Sequence, residues 1–146
     1  MTLNLRVLAP DQSVFDGQVD EVILPSSTGQ LGVLTGHVSM LTALDSGVLR
    51  LREGSSWKAI ALLGGFAEVQ SNEVTVLVNG AELGSTIDRA AAEREFELAD
   101  RAAREFEGKD PSPEKLKAQD ALAQALSRVS ASRGILPSRL GGLTPS

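Results

Sequence analysis

The sequence predicts an α+β protein: an N-terminal antiparallel β-sandwich followed by a C-terminal antiparallel two-helix hairpin. Before residue 84, turn residues recur every ~8–12 positions between short apolar runs, which is typical of a sandwich or barrel. After residue 84 the chain becomes rich in Ala, Glu, Arg and Leu, with apolar residues at helical spacing. We therefore expect a sandwich domain at residues 1–84, a hairpin domain at 85–133 and a flexible tail at 134–146.

The first strand is predicted where Leu3, Leu5 and Val7 alternate with other residues at period two. Turn-forming residues at 10–13 end this strand. The Asp-Gly pair at 16–17 predicts a second turn shortly afterwards.

Four later segments are strand-like because β-branched and aliphatic residues cluster in them. They read VDEVILP, GVLRLRE, WKAIALLGGFAEV and EVTVLVN. The last two are separated by a predicted turn at Ser71 and Asn72. The pair Gly64-Gly65 predicts either a bulge or a close backbone contact inside its strand.

The first helix is predicted to begin at a cap supplied by Ser85 or Thr86, with Asp88 in its first turn, where the helix dipole favours an acid. Gly108 is predicted to end it. One face carries apolar residues at helical spacing: Ala92, Phe96, Ala99, Ala103 and Phe106.

The second helix is predicted to be capped by Ser112, with Pro113 at its first position. Its apolar stripe consists of Ala118, Leu122, Ala125 and Val129. Such Ala-rich stripes bury little area, so we expect weak docking of the hairpin on the sandwich. The pattern fits both a hairpin that undocks and a permanently packed appendage.

Composition excludes several classes of protein. The net charge of −5 argues against nucleic acid, whose phosphates require a surplus of Lys and Arg. The chain has no cysteine, which excludes disulfides and thiolate metal sites. No apolar run reaches signal-peptide or transmembrane length, so we expect neither element.

His37, the only histidine, is a poor candidate for catalysis or metal binding. A Ser–His–Asp set with Ser39 and Asp45 is formally available, but no serine has a nucleophile-elbow context. A zinc site usually needs several His or Cys ligands. We predict a turn or interface role for His37, and no metal and no cofactor for the chain.

Three glycines around the same stretch invite a phosphate-loop interpretation: Gly29, Gly32 and Gly36. A phosphate loop needs a strand–loop–helix context and a following lysine, and neither is present. Tight turns explain these glycines better. The residues alone thus indicate a non-enzymatic interaction protein.

An ordered set of motifs resembles the epsilon subunit family of F-type ATP synthase. The matching positions are Leu24-Pro25, Gly29, Gly32-Val33-Leu34, Gly36-His37, Leu41-Thr42-Ala43-Leu44 and Gly47-Val48. ALLGGFAEV and VTVLVNGAE are similar to two later strands of that family, most closely in its chloroplast and cyanobacterial branch.

The resemblance implies a central-stalk subunit that lies between the gamma subunit and the membrane c-ring. It implies a c-ring contact made by five residues: Ser26, Ser27, Thr28, Gly29 and Gln30. It implies a gamma contact around Gly36, His37 and Leu41. It places the protein at the membrane periphery, on the cytoplasmic or stromal face of the thylakoid or the plasma membrane.

The resemblance also implies that the hairpin extends to the catalytic beta subunit and restrains ATP hydrolysis. The basic residues expected to meet an acidic segment of that subunit are Lys115, Lys117, Arg128 and Arg133. A free-standing β-sandwich binding module and a small hydrolase using His37 are the alternatives.

Two positions depart from the pattern of bacterial relatives. Gln30 stands where many carry an acid, so a neutral hydrogen bond would replace a charge pair with the c-ring. Asp88 matches a nucleotide-binding motif of some relatives, but Ala91 replaces its arginine and Arg94 has the wrong spacing. We therefore expect weak or absent ATP binding.

Overall fold

A computed structural model describes residues 2–133 of the chain. The strands are β1 (Leu3–Ala9), β2 (Gln12–Val19), β3 (Glu21–Ser26), β4 (Gly29–Val33), β5 (Met40–Leu44), β6 (Gly47–Glu53), β7 (Ser56–Gln70) and β8 (Glu73–Leu83). A 3-10 turn at Gly84–Thr86 leads to α1 (Arg89–Arg104) and α2 (Pro113–Arg133). The predicted tail, residues 134–146, lies outside the described residues.

The strands form a sandwich in the order β2-β1-β8-β7-β5-β3-β4, with β6 pairing with both β3 and β7. The predicted fold class is confirmed. All the strand pairs are antiparallel except β1 and β8, which run parallel from Asn4 beside Glu73 to Leu8 beside Leu77. A strand's alternation does not encode the direction of its neighbour, so the sequence could not reveal this pair.

The predicted turns meet different outcomes. Ser71 and Asn72 have φ of 52° and 62° and join β7 to β8, as predicted. The predicted turn at 16–17 is wrong, because Gly17 lies inside β2 opposite Leu5. β2 is an edge strand, and an edge tolerates a glycine that has few neighbours to pack against. The turn at 10–13 is shorter than predicted, since Gln12 already pairs in the ladder.

Halfway along β7, the face of the strand that packs against the core changes. Ile60 and Leu62 are core residues in its first half, whereas Ala67 and Val69 are core residues in its second half. The positions that face the sandwich core therefore pass from even to odd numbers. β7 pairs with β6 before this point and with β5 after it, so one strand serves both layers of the sandwich.

Gly65 lies at this change of face and approaches the neighbouring strand closely. A Cβ on Gly65 would overlap the carbonyl oxygen of Leu77 and lie 2.7 Å from the Cα of Val78. The register between β7 and β8 is the same on both sides of this point. Of the two predicted alternatives, the close contact is therefore right and the bulge is wrong.

The core is built from aliphatic side chains, as the scarcity of aromatics requires. Leu5, Leu24, Leu49 and Leu51 have no exposed surface. They belong to one continuous cluster that draws on both layers. Burial of this kind is the dominant source of stability in a domain of this size.

The first helix begins later than predicted. Asp88 is its N-cap, and the Asp88 Oδ1 accepts a hydrogen bond from the Ala91 N–H at 3.1 Å. The prediction of a cap at Ser85 or Thr86 is wrong, because both lie in the 3-10 turn that precedes buried Ile87. The helix also ends four residues short of the predicted end, and the chain continues as a turn through Gly108, where φ is +75°.

The second helix begins as predicted. Ser112 Oγ accepts a hydrogen bond from the Lys115 N–H at 3.1 Å, and Pro113 is the first helical residue. Ala125 and Val129 of the predicted stripe are buried, whereas Ala118 and Leu122 are half-buried. The end of the helix nearest Arg133 is thus the part that packs most closely.

The hairpin lies folded back against the sandwich, with α2 across β6 and β7. The interface is a small cluster, separate from the main core, consisting of Ala59, Ala61, Ile87, Ala92, Val129 and Ala131. Towards the turn between the helices the side chains leave this interface, and Leu98 and Leu116 are 65% and 60% exposed. Neither α1 nor α2 has the length and apolarity that a bilayer crossing would need.

Candidate functional site

The segment predicted to contact a c-ring is a tight hairpin rather than an open loop. Ser27 and Thr28 form the two-residue turn between β3 and β4, while Ser26 pairs with Gly29 in the ladder. Gln30 is likewise a strand residue. Short turns of this kind present their backbone and side chains in one defined arrangement.

Hydrogen bonds tie this turn to the neighbouring strand β5 and its end. The Ser27 N–H donates to the Ala43 carbonyl at 3.2 Å, and Ser27 Oγ donates to Asp45 Oδ1 at 3.4 Å. Ser26 Oγ and Thr42 Oγ1 are 3.2 Å apart. The result is a preformed tip that we call the polar knuckle (Ser26–Gln30), and none of its five residues is charged.

The segment between β4 and β5, together with the first residues of β5, exposes large apolar side chains. Leu34, Val38 and Leu41 are 53%, 74% and 67% exposed. Gly36 has φ of +82°, and its N–H donates to Asn72 Oδ1 at 2.7 Å, which anchors the segment to the turn before β8. We call these three side chains the apolar rim.

His37 has a local structural role within this segment. Its N–H donates to the Leu34 carbonyl at 3.2 Å, and its ring Nδ1 lies 2.7 Å from the Val38 carbonyl oxygen. Asp45 accepts its hydrogen bond from Ser27 instead. The contacts described for His37 are those of a turn residue, and they do not assemble a nucleophile, base and acid.

Sequence reasoning chose Leu41 but missed the other two members of the apolar rim. It also missed Phe66 and Leu77, which are 46% and 40% exposed on the outer face of β7 and β8. Ala43 pairs with Phe66, and Phe66 with Leu77, so an apolar band continues from β5 across the sheet. For β5 the sequence did contain a signal, because successive side chains of a strand point to opposite faces. Leu44 is a core residue, so the odd-numbered residues of β5 face outward.

The basic residues of α2 do not form one surface. Lys115 and Lys117 lie in the first turns, where Lys115 Nζ donates to the Lys109 carbonyl at 2.7 Å and Lys117 is exposed. Arg128 lies 13 residues beyond Lys115, which is about 20 Å along a helix. The predicted group therefore divides into a pair near the hairpin turn and a pair near the sandwich.

Arg128 joins three elements through two carboxylates. Its Nε lies 2.9 Å from Glu82 Oε1 on β8, and its Nη1 pairs with Glu95 on α1. The hydrogen bond to Glu82 is the largest of the effects that raise the pKa of the Arg128 guanidinium. Both carboxylates therefore stabilise the charged side chain in this position.

Arg133 makes the second ion pair between α2 and α1. Its Nη2 lies 3.1 Å from Glu93 Oε1, and Arg89 reaches the same oxygen from one turn earlier on α1, at 3.4 Å. The hydrogen bond from Arg133 is the main reason why the pKa of Glu93 is lowered.

The two residues considered for nucleotide binding are not brought together. The Asp88 carboxylate is occupied as the α1 cap, and Arg94 follows six residues later, which turns it about 120° away around the helix. A cavity of about 500 Å³ between the hairpin and the sandwich includes neither residue. Three carboxylates and one arginine line it: Asp11, Glu82, Glu95 and Arg128. An anionic phosphate would be repelled there.

The sandwich presents a polar knuckle and an apolar rim, and a helical hairpin is docked on its side. These features define a protein that works through contacts with other chains. The chain belongs to the ATP synthase epsilon chain family. The family model described as the β-sandwich domain of the ATP synthase delta/epsilon chain matches residues 2–84. The resemblance stated from the sequence is thus confirmed. Epsilon chains are not themselves catalytic, so the prediction of a non-enzyme is confirmed as well.

Curated relatives are similar over nearly the whole chain. The ATP synthase epsilon chain of Synechococcus sp. (strain CC9902) is 65% identical over 91% of this chain and 98% of its own length. That of Prochlorococcus marinus (strain MIT 9303) is 58% identical over 91% of this chain and 100% of its own length.

Solved structures share the fold at much lower identity. A chain of the Euglena gracilis mitochondrial ATP synthase, in an assembly of OSCP, F1 and c-ring, has a TM-score of 0.71 at 22% identity, covering 84% of this chain and 76% of that one. A chain of the central stalk and c-ring of Tetrahymena thermophila mitochondrial ATP synthase has a TM-score of 0.58 at 16% identity, covering 90% and 97%.

Proposed function

We propose that this chain couples the gamma subunit to the c-ring in the rotor of an F-type ATP synthase and restrains ATP hydrolysis through its hairpin. Residues 1–84 would act as the coupling unit and residues 85–133 as the restraining unit, followed by a tail at 134–146. The family membership and the names of the relatives support this assignment. The chain would transform no substrate of its own.

The observation that carries the coupling role is the apolar rim. Leu34, Val38 and Leu41 are exposed although the sandwich core beneath them is complete. Clustered exposed apolar side chains are typical of protein–protein contacts. We assign this rim, together with Gly36 and His37, to the gamma subunit.

The polar knuckle is suited to the polar loops of a c-ring. It offers hydroxyl groups, backbone groups and the Gln30 amide in a preformed turn. Because it carries no charge, we expect its contact to consist of neutral hydrogen bonds, which depend little on salt. Tethered in this way, the chain would be a peripheral protein at the cytoplasmic or stromal face of a thylakoid or plasma membrane, as its cyanobacterial relatives suggest.

The hairpin would act by exchanging partners. In the docked arrangement Arg128 and Arg133 are engaged by carboxylates of this chain, while Lys117 remains exposed. Extension of the hairpin would release the two arginines to join Lys115 and Lys117 on an acidic segment of the beta subunit.

Recovery of the gamma subunit tests the coupling role. Leu41→Glu should abolish pull-down of gamma, because a charge would be buried against an apolar partner surface. Leu98→Glu is the matched control: Leu98 is 65% exposed like Leu41 at 67%, but lies on α1. Failure of the unaltered chain to recover gamma would contradict the proposal and favour a free-standing sandwich binding module.

Truncation tests the restraining role. Removing all residues after Glu107 deletes α2, and the assembled catalytic head should then hydrolyse ATP faster. Unchanged hydrolysis would retire the restraining role and leave the coupling role standing.

We further propose that the isolated chain binds ATP weakly or not at all. Ala91 offers no cation, Asp88 is occupied as a cap, and the charged residues that line the neighbouring cavity are three carboxylates and one arginine. Calorimetric titration should give no saturable heat in the micromolar range; micromolar affinity would contradict this proposal.

A further inference from the structure

The C-terminal part of α2 packs closely against the backbone at one glycine, Gly84. This residue follows β8 directly and is buried. A Cβ on Gly84 would overlap the carbonyl oxygen of Ala131 and lie 2.9 Å from its carbonyl carbon. It would also lie 3.0 Å from the carbonyl oxygen of Ala59 on β7. The helix and both strands therefore converge on a point that only glycine can occupy.

The contact, rather than the local backbone, demands glycine here. Among residues 2–133, the glycines with positive φ are Gly29, Gly36, Gly54 and Gly108. Gly84 is not among them, so alanine could adopt its backbone conformation without strain. An alanine at this position would instead force α2 away, because the opposing atoms belong to backbone and cannot rotate aside.

Arg128 supplies the polar half of the same contact. It lies three residues before Ala131 on α2, and its partner Glu82 lies two residues before Gly84 on the chain. Its second partner, Glu95, belongs to α1. A steric fit and an ion cluster that joins sandwich, α1 and α2 therefore occur side by side.

We propose that Gly84 and Arg128 form the seat that decides whether the hairpin is docked or released. The rest of the interface consists mostly of alanines, which fit many packing geometries and select none. In the docked hairpin, Glu82 accepts hydrogen bonds from Arg128 Nε and Nη2, and Glu95 accepts one from Nη1. The guanidinium is thus engaged within this chain and is not offered to a carboxylate of another chain. Docking thus hides a residue that the released hairpin would use, and only this last step rests on the proposed function.

The isolated chain allows a direct test, because it has no cysteine of its own. Spin labels at Glu73→Cys on the sandwich and Gln119→Cys on α2 report the distance between the two units. Gly84→Ala should move most of the distance distribution by roughly 10 Å or more, since Gln119 lies about 18 Å along the helix from Ala131 at the seat. Gly32→Ala is the matched control: its Cβ would meet nothing within 4 Å, and the distribution should not change.

A second variant keeps the test decisive if Gly84→Ala disturbs the sandwich itself. Arg128→Met keeps an unbranched apolar stem but removes the charged guanidinium, and should lower the ratio of docked to released hairpin by about threefold to tenfold. Arg101→Met changes an exposed arginine of α1 in the same way and should leave the ratio unchanged. Fluorescence of Trp57, the only tryptophan, shows whether the sandwich is intact in each variant.

An intact sandwich with an unchanged distance in Gly84→Ala would overturn the steric half of the seat. An unchanged ratio in Arg128→Met would overturn the ionic half. These measurements need no other subunit, so they are independent of the proposed restraint. Gly84→Ala could release the hairpin and still leave ATP hydrolysis by the assembled complex unaltered. That result would support the seat and contradict the restraining role.

Discussion

The sandwich and the hairpin are held in place by different physical means. In the sandwich, large aliphatic side chains such as Leu5 and Leu51 have no exposed surface and contact both layers. On the two helices of the hairpin, the buried side chains are small alanines and serines, with Val129 the largest of those on α2. Because stabilisation follows the apolar area removed from water, the two units differ greatly in how firmly they are fixed.

This difference shows that a few specific contacts decide the position of the hairpin. The large apolar area buried in the core decides the shape of the sandwich. Ion pairs of partly exposed side chains contribute modestly, about 0–1 kcal/mol each. The Arg128 and Arg133 pairs are of this kind, at 26% and 27% exposed. A unit held in this manner can be released without unfolding its neighbour.

The largest effect should come from truncating a core leucine of the sandwich. Leu51→Ala removes a fully buried side chain and should lower the free energy of unfolding by about 2–5 kcal/mol. Leu116→Ala, the same change at a position that is 60% exposed, should alter it by no more than about 0.5 kcal/mol. Chemical denaturation measures both. Equal losses would break the contrast between the units.

Hydrogen exchange should separate the two units in a single experiment. Amides of β1 and β8 should exchange only through global unfolding, whereas those of α2 near Gln119 should exchange through local opening that costs at least about 2 kcal/mol less. Native-state exchange at increasing denaturant resolves the two classes. A single class with one common opening free energy would show that the hairpin is a fixed part of the sandwich.

A smaller effect should follow from removing the α1 cap. Asp88→Ala leaves the Ala91 N–H without its acceptor and should destabilise α1 by about 1 kcal/mol, seen as faster exchange of its first-turn amides. Ser85→Ala alters the cap that the sequence suggested and should have little effect. The opposite ranking would restore the sequence-based assignment of the helix start.

The smallest effect should be a pH dependence of the α1–α2 contact. Pairing with Arg133 lowers the pKa of Glu93 below its ordinary value of 4.5. A lowered pKa means that the contact stabilises the folded hairpin fully above that ordinary value and is lost as the pH falls through the lowered one. Helix content followed from pH 6 downwards should decline later in Glu93→Gln, relative to its own starting value, than in the unaltered chain. Glu97→Gln is the control, since Glu97 is exposed on the same helix.

Local patterns in the sequence predicted the elements that depend on local chemistry. The alternation of apolar residues predicted β1, and Ser112 with Pro113 predicted the start of α2. Both signals act within a few residues. The cap at Asp88 was missed since its choice depends on burial of Ile87 against the sandwich. The parallel pairing of β1 with β8 and the change of face in β7 depend on distant partners and leave no local trace.

The candidate site was predicted unevenly for the same reason. The segments around Ser26–Gln30 and Gly36–Leu41 were recognisable as motifs, and their roles in contacting other subunits stay predictions. The exposure of Phe66 and Leu77 depends on which face of each strand the core occupies. The grouping of Arg128 with Glu82 and Glu95 joins residues 46 and 33 positions apart, which no spacing rule could suggest.

The sharing of β7 between the two layers has a mechanical consequence. Ordinary sandwiches transmit load from one sheet to the other across packed side chains, which can slide. Here the first half of β7 pairs with β6 and the second half with β5, so a pull at one sheet reaches the other along covalent backbone. The domain should therefore respond to twisting as a single stiff block rather than as two plates that shear.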